Sequence, residues 1–121
     1  MAKLKKDPHQ DLFIRCLKKQ IKPLADADIE QEFMFHPTRK WRFDYAIPSL
    51  KVALEVDGGV WVYGRHNRAK SYIADLEKLN TAASMGWLVL RIVREECFLQ
   101  KTLNLIKNTV LCRQHEREGN S

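Results

Sequence analysis

Three carboxylates stand where an apolar strand would not ordinarily tolerate them. Asp44 interrupts the aromatic run "WRFDYA", and Glu55 and Asp57 end "KVALEVD" just before Gly58 and Gly59. Burying such groups without compensation is costly, so they need a basic side chain, a proton or a divalent metal as counter-charge. Hard oxygen ligands favour Mg2+ or Mn2+, which bind through one or two carboxylates and keep waters for a phosphate substrate. A metal held this way polarises a phosphoryl oxygen and lowers the pKa of an attacking water. Phosphodiester hydrolysis is the economical chemistry. The competing reading pairs Asp44 with Arg42 or Arg39 and leaves Glu55 and Asp57 as a solvated strand end.

The rest of the chain has to position these groups. Its 121 residues suit one domain. With 21 basic against 15 acidic groups, a formal charge of +6 and a pI near 9.4, a polyanion is the natural partner, nucleic acid first. Cys16, Cys97 and Cys112 form no C-x-x-C pair, so neither a disulfide framework nor a zinc site is implied. "MAKLKKDPHQ" lacks the apolar stretch of a leader, and no run approaches the ~18 apolar residues of a membrane span. The chain reads as cytosolic and complete, with one domain over residues 1–114 and a disordered polar tail over 115–121.

Asp7 as cap, Pro8 in the first turn and Gln10 as capping-box partner predict a helix over "DPHQDLFIRCLKKQI", burying Leu12, Phe13, Cys16, Leu17 and Ile21. "QEFMFH" and "WRFDYA" read as a hairpin joined by the four residues "PTRK", and "IPSL" turns the chain into "KVALEVD". A second helix runs from about Arg68 to Met85, with Ala69, Tyr72, Ile73, Leu76, Leu79 and Ala83 as its apolar stripe and Gly86 past its end. "WLVLRIV" predicts a strand covered on both faces. "CFLQKTLNLIKNTVLCRQH" predicts a last helix that buries Phe98, Leu103, Ile106, Val110 and Leu111. The order α-β-β-β-α-β-α implies an α/β domain with a mixed sheet flanked by helices.

Alternation puts Val52, Leu54 and Val56 on one face of the third strand and Lys51, Ala53, Glu55 and Asp57 on the other. On the second strand it puts Trp41, Phe43 and Tyr45 on one side and Arg42, Asp44 and Ala46 on the other. If the two strands are neighbours, Asp44 and Glu55 meet.

With Asp44 on the second strand and Glu55-Val56-Asp57 on the third, this order resembles the core of the PD-(D/E)XK nuclease superfamily. More closely, "RKWRFDYAIPSLKVALEVDGG", "GRHNRAKSYIADLEKLN" and "GWLVLRI" resemble small phage and prophage endonucleases related to the very-short-patch-repair type and to Holliday-junction resolvases. The resemblance implies a restriction-endonuclease-like core in which Asp44, Glu55 and the carbonyl of Val56 hold Mg2+ or Mn2+. The chain departs from the pattern at Asp57, where the family has a lysine that aligns or activates the attacking water; Asp57 would instead tune or share the metal. His66, which follows the third strand, is the first candidate for that role. Lys78, three residues after Asp75 on the next helix, is the second. Lys51 lies ~13 Å along the strand from Glu55 and is too far.

Glu32 is a candidate auxiliary acid, and Asp75 a second auxiliary residue beside Lys78. Arg39, Lys40, Arg42, Arg65, Arg68 and Lys70 cluster around the site in sequence and would contact DNA phosphates, which position a substrate without reading its sequence. Trp61 and Tyr63 could stack on a base, although packing on the sheet is their commoner fate; Trp41 and Trp87 read as core. The resulting expectation is a Mg2+-dependent DNA endonuclease of phage-type recombination, repair or processing. It would act in the cytoplasm, a bacterial host's if phage-derived, with DNA as partner, no membrane association, and a monomeric or homodimeric state. A dimeric junction resolvase is the rival enzyme. A DNA-binding module with a degenerate nuclease fold is the rival of another class.

Overall fold

Asp7 starts the first helix as expected: its side chain accepts a hydrogen bond from the His9 amide at 3.0 Å, and Pro8 takes the first helical position. The computed structural model describes residues 7–58 and 68–119, excepting the side chains of residues 68 and 69. In chain order the elements are α1 (Pro8–Ile21), β1 (Glu30–Met34), β2 (Arg42–Ile47), β3 (Val52–Asp57), α2 (Arg68–Ser84), β4 (Leu88–Val93), a 3-10 turn (Arg94–Glu96) and α3 (Gln100–Gly119). The α-β-β-β-α-β-α order is therefore the one expected. Among the described residues no helix is long and apolar enough to cross a membrane.

The four strands form one mixed sheet in the order β1-β2-β3-β4. The first three make an antiparallel meander, whereas β4 lies parallel to β3 with Arg91 opposite Glu55. A parallel neighbour requires a long crossover, and α2 lies within it. The helix ends as the sequence predicts. Gly86 takes φ +89°, its amide donates to the Ala83 carbonyl at 3.0 Å, and the Trp87 amide reaches back to Ala82 at 3.0 Å. The β1–β2 connection is longer than "PTRK", covering residues 35–41, where the His36 ring nitrogen Nδ1 accepts from the amides of Thr38 and Arg39.

Two apolar clusters cover the two faces of the sheet. Phe13, Leu17 and Ile21 of α1 and Leu103, Ile106 and Val110 of α3 enclose Tyr45, Ile47, Val52, Leu54 and Ile92. Phe13 meets Tyr45 edge-on, with ring centroids 5.2 Å apart. On the other face Phe35, Phe43, Ala46, Ala53 and Trp87 pack with Ala82 of α2. Phe35 stacks on Phe43 at 4.1 Å, and small residues let the helix approach. The cysteines are free; burial pushes the Cys97 thiol up to about 11, which leaves it unreactive.

Several expectations need correcting. In α1 Phe13, Leu17 and Ile21 are buried as expected, but Ile14 is buried in place of Leu12, which is exposed, and Cys16 is half-buried. The predicted stripe of α2 faces outward at Tyr72, Ile73, Leu76 and Ala83 and is half-buried at Leu79, while the other less exposed positions are Ser71, Asp75, Lys78, Thr81, Ala82 and, just past the helix, Met85. The helix is thus turned by roughly a third of a turn from the apolar prediction, which directs Lys78 at a carboxylate of the sheet. β4 is an edge strand, so Leu88 and Val93 are exposed rather than covered. Phe98 is exposed, and Cys97 and Thr102 are buried beside Leu103. α3 continues to Gly119, so residues 115–119 are helical rather than a disordered tail.

The largest departure is in β2. Phe43 and Tyr45 belong to opposite faces, although strict alternation places them together. The pairing of β1 with β2 skips the Glu32/Asp44 level, and Glu32 takes φ +50°, a left-handed conformation unusual for a residue with a Cβ. Glu32→Gly is expected to be more stable than Glu32→Ala by about 1 kcal/mol in urea denaturation. Equal stability of the two would show that the position carries no backbone strain.

Candidate functional site

The site forms where β2 and β3 stop pairing. The two strands are matched from Ile47↔Val52 to Tyr45↔Leu54. One step further, side chains replace the main-chain ladder. The Val56 amide donates to Asp44 Oδ2 at 2.7 Å, and the Asp44 amide donates to Glu55 Oε2 at 3.3 Å. Each carboxylate thereby satisfies an amide of the opposite strand that the opened ladder would leave without a partner. Asp44 and Glu55 meet, as they must if the strands are neighbours. Asp44 pairs with neither Arg42 nor Arg39 as the competing reading has it, and of the two residues that reading leaves in solvent Glu55 is largely buried while Asp57 is partly exposed and ion-paired.

Glu55 has its counter-charge within the chain. Lys78 Nζ donates to Glu55 Oε1 and to the Arg42 carbonyl, and lies 5.6 Å from the centroid of the Phe43 ring. Both partners are largely buried, Lys78 17% and Glu55 13% exposed. Burial raises the Glu55 carboxyl above the usual carboxylate range, with Lys78 pulling it down and the Asp44 charge pushing it up. The positive charge that faces this carboxylate is the Lys78 ammonium.

Asp57 pairs with Arg91 at 3.0 Å, and Arg91 also lies 3.7 Å from Asp75. Asp75 and Lys78 both reach the sheet from α2, but each meets a different partner there. Lys51 is at the far end of β3, in a left-handed conformation, bonded to the Met85 carbonyl at 2.7 Å. Glu32 is exposed on β1 at the level of Asp44.

Of the predicted DNA contacts, Arg39 is paired with Glu77 at 2.8 Å and lies 3.9 Å over the Trp41 ring. Lys40, Arg42 and Lys70 are exposed. Arg68 begins α2, its side chain lying outside the description, and Arg65, His66, Trp61 and Tyr63 fall outside the described residues.

A second group adjoins the site, and no motif in the sequence marks it. Asp44 also lines a cavity of about 100 Å³ with Asp7, His9 and Gln10 from the start of α1, Val56 and Gly58 from the end of β3, and Arg94. Asp7 and Arg94 pair at 3.0 Å, and His9 Nε2 lies 3.3 Å from the Arg94 carbonyl. Nothing in residues 7–10 signals this, because the contact depends on how α1 lies across the sheet.

Among the described residues no three or more Asp, Glu, His or Cys side chains come together to hold a metal ion. The oxygens that suit a hard cation are those of Asp44 and Glu55, with the Val56 carbonyl beside them in β3. Asp44 Oδ1 is unengaged among the described residues, and Glu55 Oε1 becomes available if Lys78 withdraws. A two-carboxylate set with the remaining positions left to water and substrate is the kind Mg2+ accepts. Compared with known proteins, the chain matches no family model, no curated protein and no solved structure.

Lys78→Met leaves Glu55 without its ammonium and is expected to cost about 2–4 kcal/mol in urea denaturation. Adding Glu55→Gln should recover part of that loss, so additive losses in the double-mutant cycle would deny the coupling. In a carboxyl carbon NMR titration Glu55 should titrate above the ordinary glutamate range, and higher still in Lys78→Met.

Proposed function

We propose that the chain is a divalent-metal-dependent DNA endonuclease with a PD-(D/E)XK-type core. The observation that carries this reading is the convergence of Asp44 and Glu55 at the opening of β2 from β3, with Lys78 delivered from α2 onto Glu55. Asp57 stands where the resembled family has its lysine, and Lys78 brings an ammonium to the same site from another element. The order of elements and the basic balance of the chain support the same reading.

Asp44, Glu55 and the Val56 carbonyl would hold Mg2+ or Mn2+. When bound, such an ion polarises the phosphoryl oxygen and lowers the pKa of the attacking water. Lys78 Nζ would release Glu55 Oε1 and turn to the phosphate, where its charge would offset the negative charge that builds up during attack. Arg42, Lys40 and Lys70 hold the DNA backbone through charge alone. His66 remains a candidate proton carrier, and Glu32 an auxiliary acid. A phage-type role in recombination, repair or processing goes with the resemblance, as does the choice between a monomeric nicking enzyme and a dimeric resolvase.

One observation favours a second reading. Lys78 neutralises Glu55 from within the chain, as a structural pair in a non-catalytic DNA-binding module would.

The deciding assay incubates wild type, Asp44→Asn, Glu55→Gln and Lys78→Met with single-stranded, duplex and four-way-junction DNA in Mg2+, Mn2+ or EDTA. Cleavage is expected with either metal and not with EDTA. Asp44→Asn and Glu55→Gln should reduce it to background, and Lys78→Met should reduce it by roughly 10²–10⁴-fold. Full activity in Lys78→Met would remove that residue from the chemistry. Folded wild type that binds DNA and leaves every substrate intact would establish the binding module instead.

A further inference from the structure

Arg15, Lys18, Lys19 and Lys22 recur on α1 at the i, i+3, i+4, i+7 spacing that places them on one helical face. All four are exposed, on the side away from the buried Phe13, Leu17 and Ile21. None is paired with an acid among the described residues, although ion pairs engage Arg39, Lys78, Arg91, Arg94, Lys101 and Arg113 elsewhere. Like charges at this spacing repel and weaken a helix. Attraction to the negative end of the helix dipole accounts for cations in the last turn, Lys18 and Lys19, but does not call for four on one stripe.

We infer that this outer face of α1 is a contact surface for the phosphate backbone of a nucleic acid. The partner is chosen by charge. The helix buries Phe13, Ile14, Leu17 and Ile21 in the core and leaves Leu12 as its one large exposed apolar side chain, too little for an amphipathic membrane anchor. From Arg15 to Lys22 the stripe spans about 10 Å at the helical rise, the axial length of about three successive phosphates on one strand of a duplex. Its place relative to the candidate site gives it a use. The first turn of α1 lines the cavity beside Asp44, and the stripe begins some 9 Å further along the same helix. This inference rests on the nuclease reading: the stripe would grip the strand leading away from the phosphate held at Asp44, adding affinity without sequence preference.

The test measures binding of a labelled DNA duplex by fluorescence anisotropy across about 50–200 mM KCl. It compares wild type with Arg15→Gln/Lys18→Gln/Lys19→Gln/Lys22→Gln and with Lys101→Gln/Lys107→Gln/Arg117→Gln on α3. Glutamine keeps helix propensity, and thermal melting checks the fold. If the quadruple variant melts early, the pair Arg15→Gln/Lys22→Gln replaces it. The α1 variant should bind at least about tenfold more weakly, and its slope of log K against log salt should fall by about 3, near one unit per lost phosphate contact. The α3 variant should lose much less per charge.

An unchanged slope in the α1 variant, with wild type still binding and cutting, overturns this inference and leaves the nuclease reading intact. Equal loss per charge in the two variants overturns it as well, assigning the effect to net charge. Wild type that binds no nucleic acid at any salt overturns both. Binding of phosphatidylserine vesicles that the α1 variant loses, with DNA binding unchanged, would reassign the stripe to a membrane surface.

Discussion

The constraint on which the rest depends is that β2 and β3 cannot stay paired through Asp44. Past Tyr45↔Leu54 the two carboxylates occupy amides of the opposite strand, Val56 N by Asp44 and Asp44 N by Glu55. Opening a ladder inside a protein ordinarily leaves polar main-chain groups without partners, a loss of about 1–3 kcal/mol for each. Two acidic side chains prevent that loss and so allow the strands to part. The parting then reverses the facing of the chain. Phe43 turns to the α2 side, where it stacks with Phe35 and meets Trp87, while Tyr45 remains on the α1 side against Phe13. β1 follows at Glu32, which takes up the distortion as a left-handed residue.

That rearrangement also determines what α2 must present. A carboxylate as buried as Glu55 imposes a desolvation penalty that only a nearby positive charge offsets. The helix consequently faces the sheet with Lys78 and Asp75 and leaves Tyr72 and Ile73 in solvent. Arg91 plays the corresponding part for Asp57 and Asp75, and this end of the sheet becomes a line of alternating charges. The electrostatic need of one strand residue thus overrides the apolar preference of a whole helix.

This explains which parts of the structure were legible beforehand. Asp7 with Pro8, and Gly86, mark boundaries through local chemistry, and those boundaries fall where the sequence indicates. The order of elements follows from runs of distinct periodicity, and the meeting of Asp44 with Glu55 from simple strand adjacency. The facing of α2 was hidden because Tyr72, Ile73 and Leu76 form a better apolar stripe than the face that is used. Alternation failed in β2 at the one residue whose side chain enters the ladder. β4 reads as a buried strand, since an edge strand of a parallel pair can be just as apolar as an inner one. The approach of Asp7, His9 and Arg94 to Asp44 depends on the angle at which a helix crosses the sheet, which no local pattern records.

The parallel pairing of β3 with β4 has a consequence for the order of assembly. β1, β2 and β3 follow one another through short connections, and their contacts can form early. Lys78 reaches Glu55 only when the chain from Asp57 to Leu88 has closed, and closing a long segment carries an entropy cost that early local contacts avoid. Until then Glu55 has no ammonium partner, although the bonds from the Val56 amide to Asp44 and from the Asp44 amide to Glu55 lie within the hairpin itself. The ion pairs at this end of the sheet, Lys78 with Glu55 and Arg91 with Asp57 and Asp75, are therefore a property of the completed fold alone.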